Sequence, residues 1–106
     1  MEPVDFLQAW YLAQSNGHWE QSRGVTIESL DNPGWLVTID LEGTRLEGRV
    51  MRTVARDASK RDWLLCEVNR NRFRGQGDPG KLLAILRVFQ EWAESETERA
   101  ESATVK

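Results

Sequence analysis

Residues 24–41, GVTIESLDNPGWLVTIDL, constrain the fold of this chain more than any other stretch. Val25 and Ile27 alternate with Thr26 and Glu28, and Trp35, Val37, Ile39 and Leu41 alternate with Leu36, Thr38 and Asp40. Successive side chains of a strand point to opposite faces, so both runs read as half-buried strands, and their β-branched residues suit a pleated surface. Between them lies a turn, Asp31-Asn32-Pro33-Gly34. Pro33 presets φ at position i+1, and Gly34 is expected to supply the positive φ of a type II turn at i+2. The result is an antiparallel hairpin whose apolar face requires a second layer.

Helical spacing supplies that layer at both ends of the chain. Pro3 suits a first helical turn, and Phe6, Leu7, Trp10, Tyr11 and Ala13 then recur on one face until Ser15-Asn16-Gly17 stops the helix. Near the other end Leu82, Ile85, Leu86, Phe89, Trp92 and Ala93 form a longer apolar stripe, with Asp78 expected as its N-cap and Pro79 at its first position. In the middle, residues 44–56 (TRLEGRVMRTVAR) fit both periods, and Gly48 and the β-branched content tilt them towards a strand. ARDASKR then reads as a loop, 62–69 (DWLLCEVN) as a strand in a central position, and RGQGDPGK as a second loop. The expected fold is α+β: a four-stranded antiparallel sheet with an N-terminal and a C-terminal helix packed on it, in the order α-β-β-β-β-α. Residues 1–95 form the single domain, and 96–106, beyond the apolar stripe, are expected to be a disordered charged tail.

Much chemistry is excluded by scarcity. His18 and Cys66 are the only side chains of their types, no zinc-ligand spacing exists, and no acidic run has calcium-loop spacing, so neither a metal nor a cofactor is expected. Cys66 sits in an apolar strand pattern, where a thiol behaves as a small buried hydrophobe; catalysis by a thiol has nothing else to stand on. The glycines of RGQGDPGK match neither phosphate-loop spacing, and Asp78 would repel an anion. Arg70, Arg72 and Arg74 beside Phe73 could touch phosphates, but a pI near 5.2 is unlike a dedicated nucleic-acid binder. With one cysteine, no secretory leader pattern and no apolar run of the ~20 residues a membrane helix needs, the chain reads as cytoplasmic.

Charge and tryptophan use remain. Residues 1–41 hold six acids (Glu2, Asp5, Glu20, Glu28, Asp31, Asp40) against the single base Arg23, whereas 42–90 hold eleven bases against six acids. Either the two segments pair across the fold, or the first third builds an acidic face for a basic partner. Trp10, Trp63 and Trp92 fall on expected core faces; Trp19 lies in a loop and Trp35 directly after the turn. Tryptophan gives large contact area at low entropic cost, so the candidate partner-binding residues are Trp19, Glu20, Asp31, Asn32, Trp35 and Asp40.

These residues lie within a pattern that resembles the immunity protein 53 family of bacterial polymorphic-toxin systems. The matching stretches are WY at Trp10-Tyr11, GHWE at Gly17–Glu20, the hairpin at Gly24–Leu41, DWLLCEV at Asp62–Val68 and FRGQGDPGKLLAILRVFQEW at Phe73–Trp92. The resemblance implies an α+β protein without catalytic activity that binds and neutralises a cognate toxin domain inside the producing cell. The acidic first third suits a basic toxin of the nuclease type. Two other readings stay open: a small enzyme or ligand-binding protein with a Trp-lined pocket between sheet and helices, and a weak nucleic-acid module through Arg70, Arg72 and Arg74.

Overall fold

Alternation produces the expected hairpin. In the computed structural model, which describes residues 1–104, β1 (Val25–Leu30) and β2 (Gly34–Asp40) pair antiparallel in unbroken register from Val25↔Ile39 to Leu30↔Gly34. The connection differs from the expected type II turn. Asp31, Asn32 and Pro33 form it, and Gly34 opens β2 without a positive φ. Glycine is required there for space, because a Cβ would lie 2.5 Å from the Gly77 carbonyl oxygen.

The remaining elements are α1 (Pro3–Gln14), α2 (Trp19–Ser22), β3 (Val54–Ser59), β4 (Asp62–Asn69), β5 (Arg72–Gly77) and α3 (Leu82–Thr104). The sheet has five antiparallel strands rather than four, in the order β1-β2-β5-β4-β3. The additional strand is β5, at the sheet's centre, where the sequence predicted a loop from Arg74 onwards. Its glycines let α3 and the turn before it approach: a Cβ on Gly75 would meet Ile85 Cγ2 at 2.4 Å, and one on Gly77 would meet Lys81 Cβ at 2.7 Å. A two-residue turn at Arg70-Asn71, with φ of 54° and 59°, joins β4 to β5. Both positive values mark the primed turn whose twist matches a hairpin.

The expected strand over 44–56 is displaced. Residues 41–53 are turns and irregular chain carrying β2 to the far edge, and β3 occupies most of the expected loop ARDASKR. Side chains fasten this crossing: Trp19 Nε1 donates to the Glu42 carbonyl (3.0 Å), Gly48 N to Asn71 Oδ1 (2.7 Å), and Trp92 Nε1 to the Val50 carbonyl (2.9 Å). Leu41 and Leu46 are buried along it. Local periodicity is ambiguous here because the segment is held from outside itself.

Helices α1 and α3 cover one face of the sheet. Val37, Ile39, Cys66 and Phe73 meet Leu7, Ile85, Leu86, Phe89 and Trp92 in a single core, with Phe6 and Trp10 packed against it. Tyr11 and Ala13, expected on the buried face of α1, are exposed. On the opposite face Leu36, Gln76 and Leu65 form one half-buried row across β2, β5 and β4.

The start of α3 differs from the expected Asp78 cap. Lys81 N donates to the Asp78 carbonyl (3.0 Å) in a preceding turn, and the helix begins at Leu82. It also continues past Ser95: Glu96 is buried, Thr97 Oγ1 donates to the Ala93 carbonyl (2.9 Å), and Glu, Arg and Ala are good helix formers. The expected tail over 96–106 is therefore helical through Thr104; residues 105–106 lie outside the described residues. Among the described residues no helix is long and apolar enough to cross a membrane.

Candidate functional site

The six candidate residues divide between the two ends of the β1–β2 hairpin, which lie about 20 Å apart for a six-residue strand. At the open end are Trp19, Glu20 and Asp40. Trp19 is only 6% exposed in the short helix α2, and its ring meets Trp10 and Tyr11 edge-on at centroid distances of 5.8 and 5.9 Å. Glu20 accepts from Asn16 N (3.0 Å) and Gly17 N (2.8 Å). Its own backbone N–H and these two hold the carboxyl below the usual range. Asp40 Oδ2 accepts from Gly24 N (2.9 Å) and Oδ1 pairs with Arg72 Nε (2.9 Å). All three side chains are engaged within the fold.

Asp31, Asn32 and Trp35 stand at the turn end. Asp31 and Asn32 are exposed, and Trp35 is half-buried with Nε1 donating to the Pro79 carbonyl (2.9 Å). Here the fold adds residues that sequence reasoning placed elsewhere. Trp63 belongs to the uncovered face, and its ring reaches over the end of β5 to within 3.5 Å of where a Gly34 Cβ would stand. Asn32, Pro33, Trp63 and Pro79, with Lys60 and Arg61 of the β3–β4 turn, border an open groove of about 1030 Å³. Lys60 and Arg61 make no ion pair among the described residues. The sequence signal for this grouping was absent, since the turns are brought together only by the β2–β5–β4 register.

A charged lock supports the groove from below. Asp78 is buried; Oδ2 accepts from Trp63 N (2.9 Å) and Lys81 Nζ (2.6 Å), and Oδ1 from Gly80 N (2.9 Å). Lys81 also reaches Asp62 Oδ1 at 2.8 Å, and Arg56 forks onto the same carboxylate at 2.8 and 2.5 Å. Bonds from Arg56 and then Lys81 hold Asp62 far below the carboxylate range; Lys81, then the Trp63 and Gly80 amides, lower Asp78. Depressed carboxyls contribute stability that is complete above the unfolded value near pH ~4 and is lost as pH falls through the folded values. Lys81 is raised by Asp62 and Asp78, so its contribution is complete below about pH 10 and lost only as pH rises through its folded value. Urea midpoints should hold steady between roughly pH 7 and 5 and drop below about pH 4. In Lys81→Met that acid-side drop should be shallower; an unchanged slope would show that Lys81 does not set these carboxyls.

Among the described residues no three His, Cys, Asp or Glu side chains are grouped to hold a metal ion. Cys66 is fully buried in β4, and burial pushes its thiol up to about 12, so thiolate is scarce near neutrality. His18 is exposed beside α2, away from that core. Of the arginines weighed for nucleic acid, Arg72 is spent on Asp40 and Arg70 forms the β4–β5 turn. Among the N-terminal acids, Glu2, Asp5, Glu20, Glu28 and Asp31 make no ion pair with the described residues, while Asp40 does.

A protein-family model described as Immunity protein 53 matches residues 4–94, a span that takes in every strand and all but the last turns of α3. No curated protein and no solved structure matches the chain.

Proposed function

The chain belongs to the immunity protein 53 family, and on that premise we propose that it binds a cognate toxin domain and neutralises it by occupying its surface. The reading is non-catalytic and places the protein in the cytosol of the producing bacterial cell. The family match over 4–94 is the observation that carries it. Burial of the Cys66 thiol supports the non-catalytic reading, because thiolate is scarce there near neutrality.

The docking surface in this reading centres on the turn end of the hairpin. Asp31 and Asn32 face the partner, Trp35 anchors the turn to Pro79, and Trp19, Glu20 and Asp40 act by holding the α2 region and the start of β1 in place. The acids without internal partners speed encounter with a basic toxin, of which a nuclease is one type. Co-expression with the toxin domain encoded beside this gene tests the proposal. Cells should survive, the two proteins should co-purify, and the double variant Asp31→Lys, Asn32→Ala should weaken the complex at least about tenfold, the scale of one lost contact. Death of the cells without co-purification would refute the immunity role.

One observation favours a second reading, a small-ligand protein: the groove beside Trp63, at about 1030 Å³, is close to the upper end of the ~300–1,000 Å³ of ordinary ligand pockets. The same co-expression separates the two, because a ligand-binding protein leaves the toxin unchecked.

A further inference from the structure

A five-stranded open sheet has two edges, and here they are built differently. Edge strand β3 carries Arg56 and Asp57 at its middle, slips register between Asp57 and Ser59, and has Arg56 tied back onto Asp62. Charge and irregularity are the usual means by which a sheet discourages further pairing. Edge strand β1 has no register slip and no charged pair, only a single charge. Its six residues pair with β2 without a bulge, and they include no proline, no lysine and one charge, Glu28.

The outward groups of β1 follow from its register. Asp40 N donates to the Gly24 carbonyl (3.0 Å), which makes Gly24 and Asp40 a hydrogen-bonded pair. Antiparallel pairs alternate, so Val25, Ile27 and Ser29 occupy non-bonded pairs and aim their N–H and C=O groups away from β2. Among the described residues no backbone or side-chain group meets them. The side chains of the same residues point to the helix side. There Val25 borders a shallow groove of about 480 Å³ with Val4, Leu7 and Tyr11 of α1, and Ile27 is 43% exposed. Glu28 points to the other face and, like Asp31 just beyond the strand, has no ion pair among the described residues.

We propose that β1 is the edge on which the toxin docks, by adding an extended segment of its own as a sixth strand. This rests on the immunity reading and extends its docking surface from Asp31 and Asn32 along the adjoining strand. Main-chain bonds to residues 25, 27 and 29 supply the pairing, and alternate side chains supply the choice of partner. On the helix side the segment presents apolar residues that cover Val25 and Ile27 and enter the groove beside α1. On the other side it presents Lys or Arg opposite Glu28 and towards Asp31, since two unpaired carboxylates favour a basic strand. A second copy of this chain fits less well, because it would bring those same carboxylates towards each other.

Amide exchange on the wild-type protein with a catalytically inactive form of the toxin domain encoded beside this gene tests the edge directly. The amides of Val25, Ile27 and Ser29 should exchange at least tenfold more slowly in the complex. Ile27→Pro removes an outward N–H without taking a bond from β2, the one kind of place where a strand accepts proline. It should weaken the complex a hundredfold or more, while Ile27→Val, which keeps the N–H, stays within threefold. Glu28→Arg, a surface change that spares the backbone, should weaken it at least tenfold and answers the question should the proline variant not fold. If the complex forms with those three amides unprotected, or if folded Ile27→Pro or Glu28→Arg binds like wild type, the edge proposal fails and the immunity reading stands. Absence of any complex with the wild-type chain overturns both. A wild-type dimer by light scattering that Ile27→Pro dissociates would give the edge to a second copy and overturn the proposal.

Discussion

Replacing Gly75 by valine should destabilise the chain by more than about 3 kcal/mol. Propensity alone predicts the reverse, since valine is favoured in strands and glycine weakens them. The structure reverses the sign because Gly75 lies at the middle of the central strand, directly under α3. The first added carbon would stand 2.4 Å from Ile85 Cγ2, 3.2 Å from Phe73 Cε2 and 3.3 Å from Cys66 Sγ. All three neighbours are fully buried and have nowhere to withdraw. Overpacking typically costs ~1–3 kcal/mol, which is the expectation for Gly75→Ala; valine adds two further carbons and should exceed it. A chain of this length has only about 5–15 kcal/mol in all. Urea unfolding followed by circular dichroism measures the loss, and a double-mutant cycle assigns its cause. Gly75→Ala should cost less in an Ile85→Ala background than in the wild type, because the colliding methyl is gone. Strict additivity, or a stabilised Gly75→Val, would mean that the helix does not press on this glycine.

Phe89→Ala should produce a loss of comparable size by the opposite route, a cavity. The Phe89 ring is fully buried and meets four others: Trp10 and Phe73 at 5.2 Å between centroids, Phe6 and Trp92 at 6.2 Å. Truncating a buried phenylalanine costs ~3–5 kcal/mol, and aromatic partners left without their edge-on contacts push this example towards the upper end. The damage should be uneven. Phe6 and Trp10 are the residues through which α1 meets this ring, so amides of α1 should lose exchange protection before those of β2 and β5. Phe89→Leu fills part of the space and should cost less than half as much. Equal loss across α1 and the sheet would show that the first helix does not depend on this contact.

Both substitutions touch elements that differed in how plainly the sequence announced them. The α3 stripe, Ile85-Leu86-Phe89-Trp92-Ala93, was legible because helical spacing is a local property repeated over three turns. The β1–β2 hairpin was legible for the same reason, its two alternating runs being joined by a short turn. Strand β5 was not. Its C-terminal part, RGQG, falls in the stretch RGQGDPGK that reads as a loop by composition, and only the closeness of Ile85 and Lys81 explains why a central strand carries Gly75 and Gly77. Likewise 44–56 looked like a strand while β3 began at Val54, because the crossing segment is shaped by Trp19, Asn71 and Trp92 from elsewhere in the chain. Of the candidate site, Asp31 and Asn32 stand in solvent as a turn residue's polarity implied; Trp19, expected in a loop, is packed against Trp10 and Tyr11. Trp63, assigned to the core, borders the open groove instead.

What the sequence determined by itself, then, is whatever depends on neighbours a few residues away or on composition: the hairpin, the two helices, the α+β class, the single histidine and cysteine, and the family to which the chain belongs. Tertiary structure alone decided the strand order and its fifth member, the steric need for Gly34 and Gly75, and the lock of Asp62, Asp78 and Lys81 beneath the groove. It also decided that one edge of the sheet is blunted and the other open. The division has one physical reason. Periodicity records which face of an element is buried, whereas closeness between distant segments, and the hydrogen bonds an edge leaves unmade, exist only once the strands have taken their places.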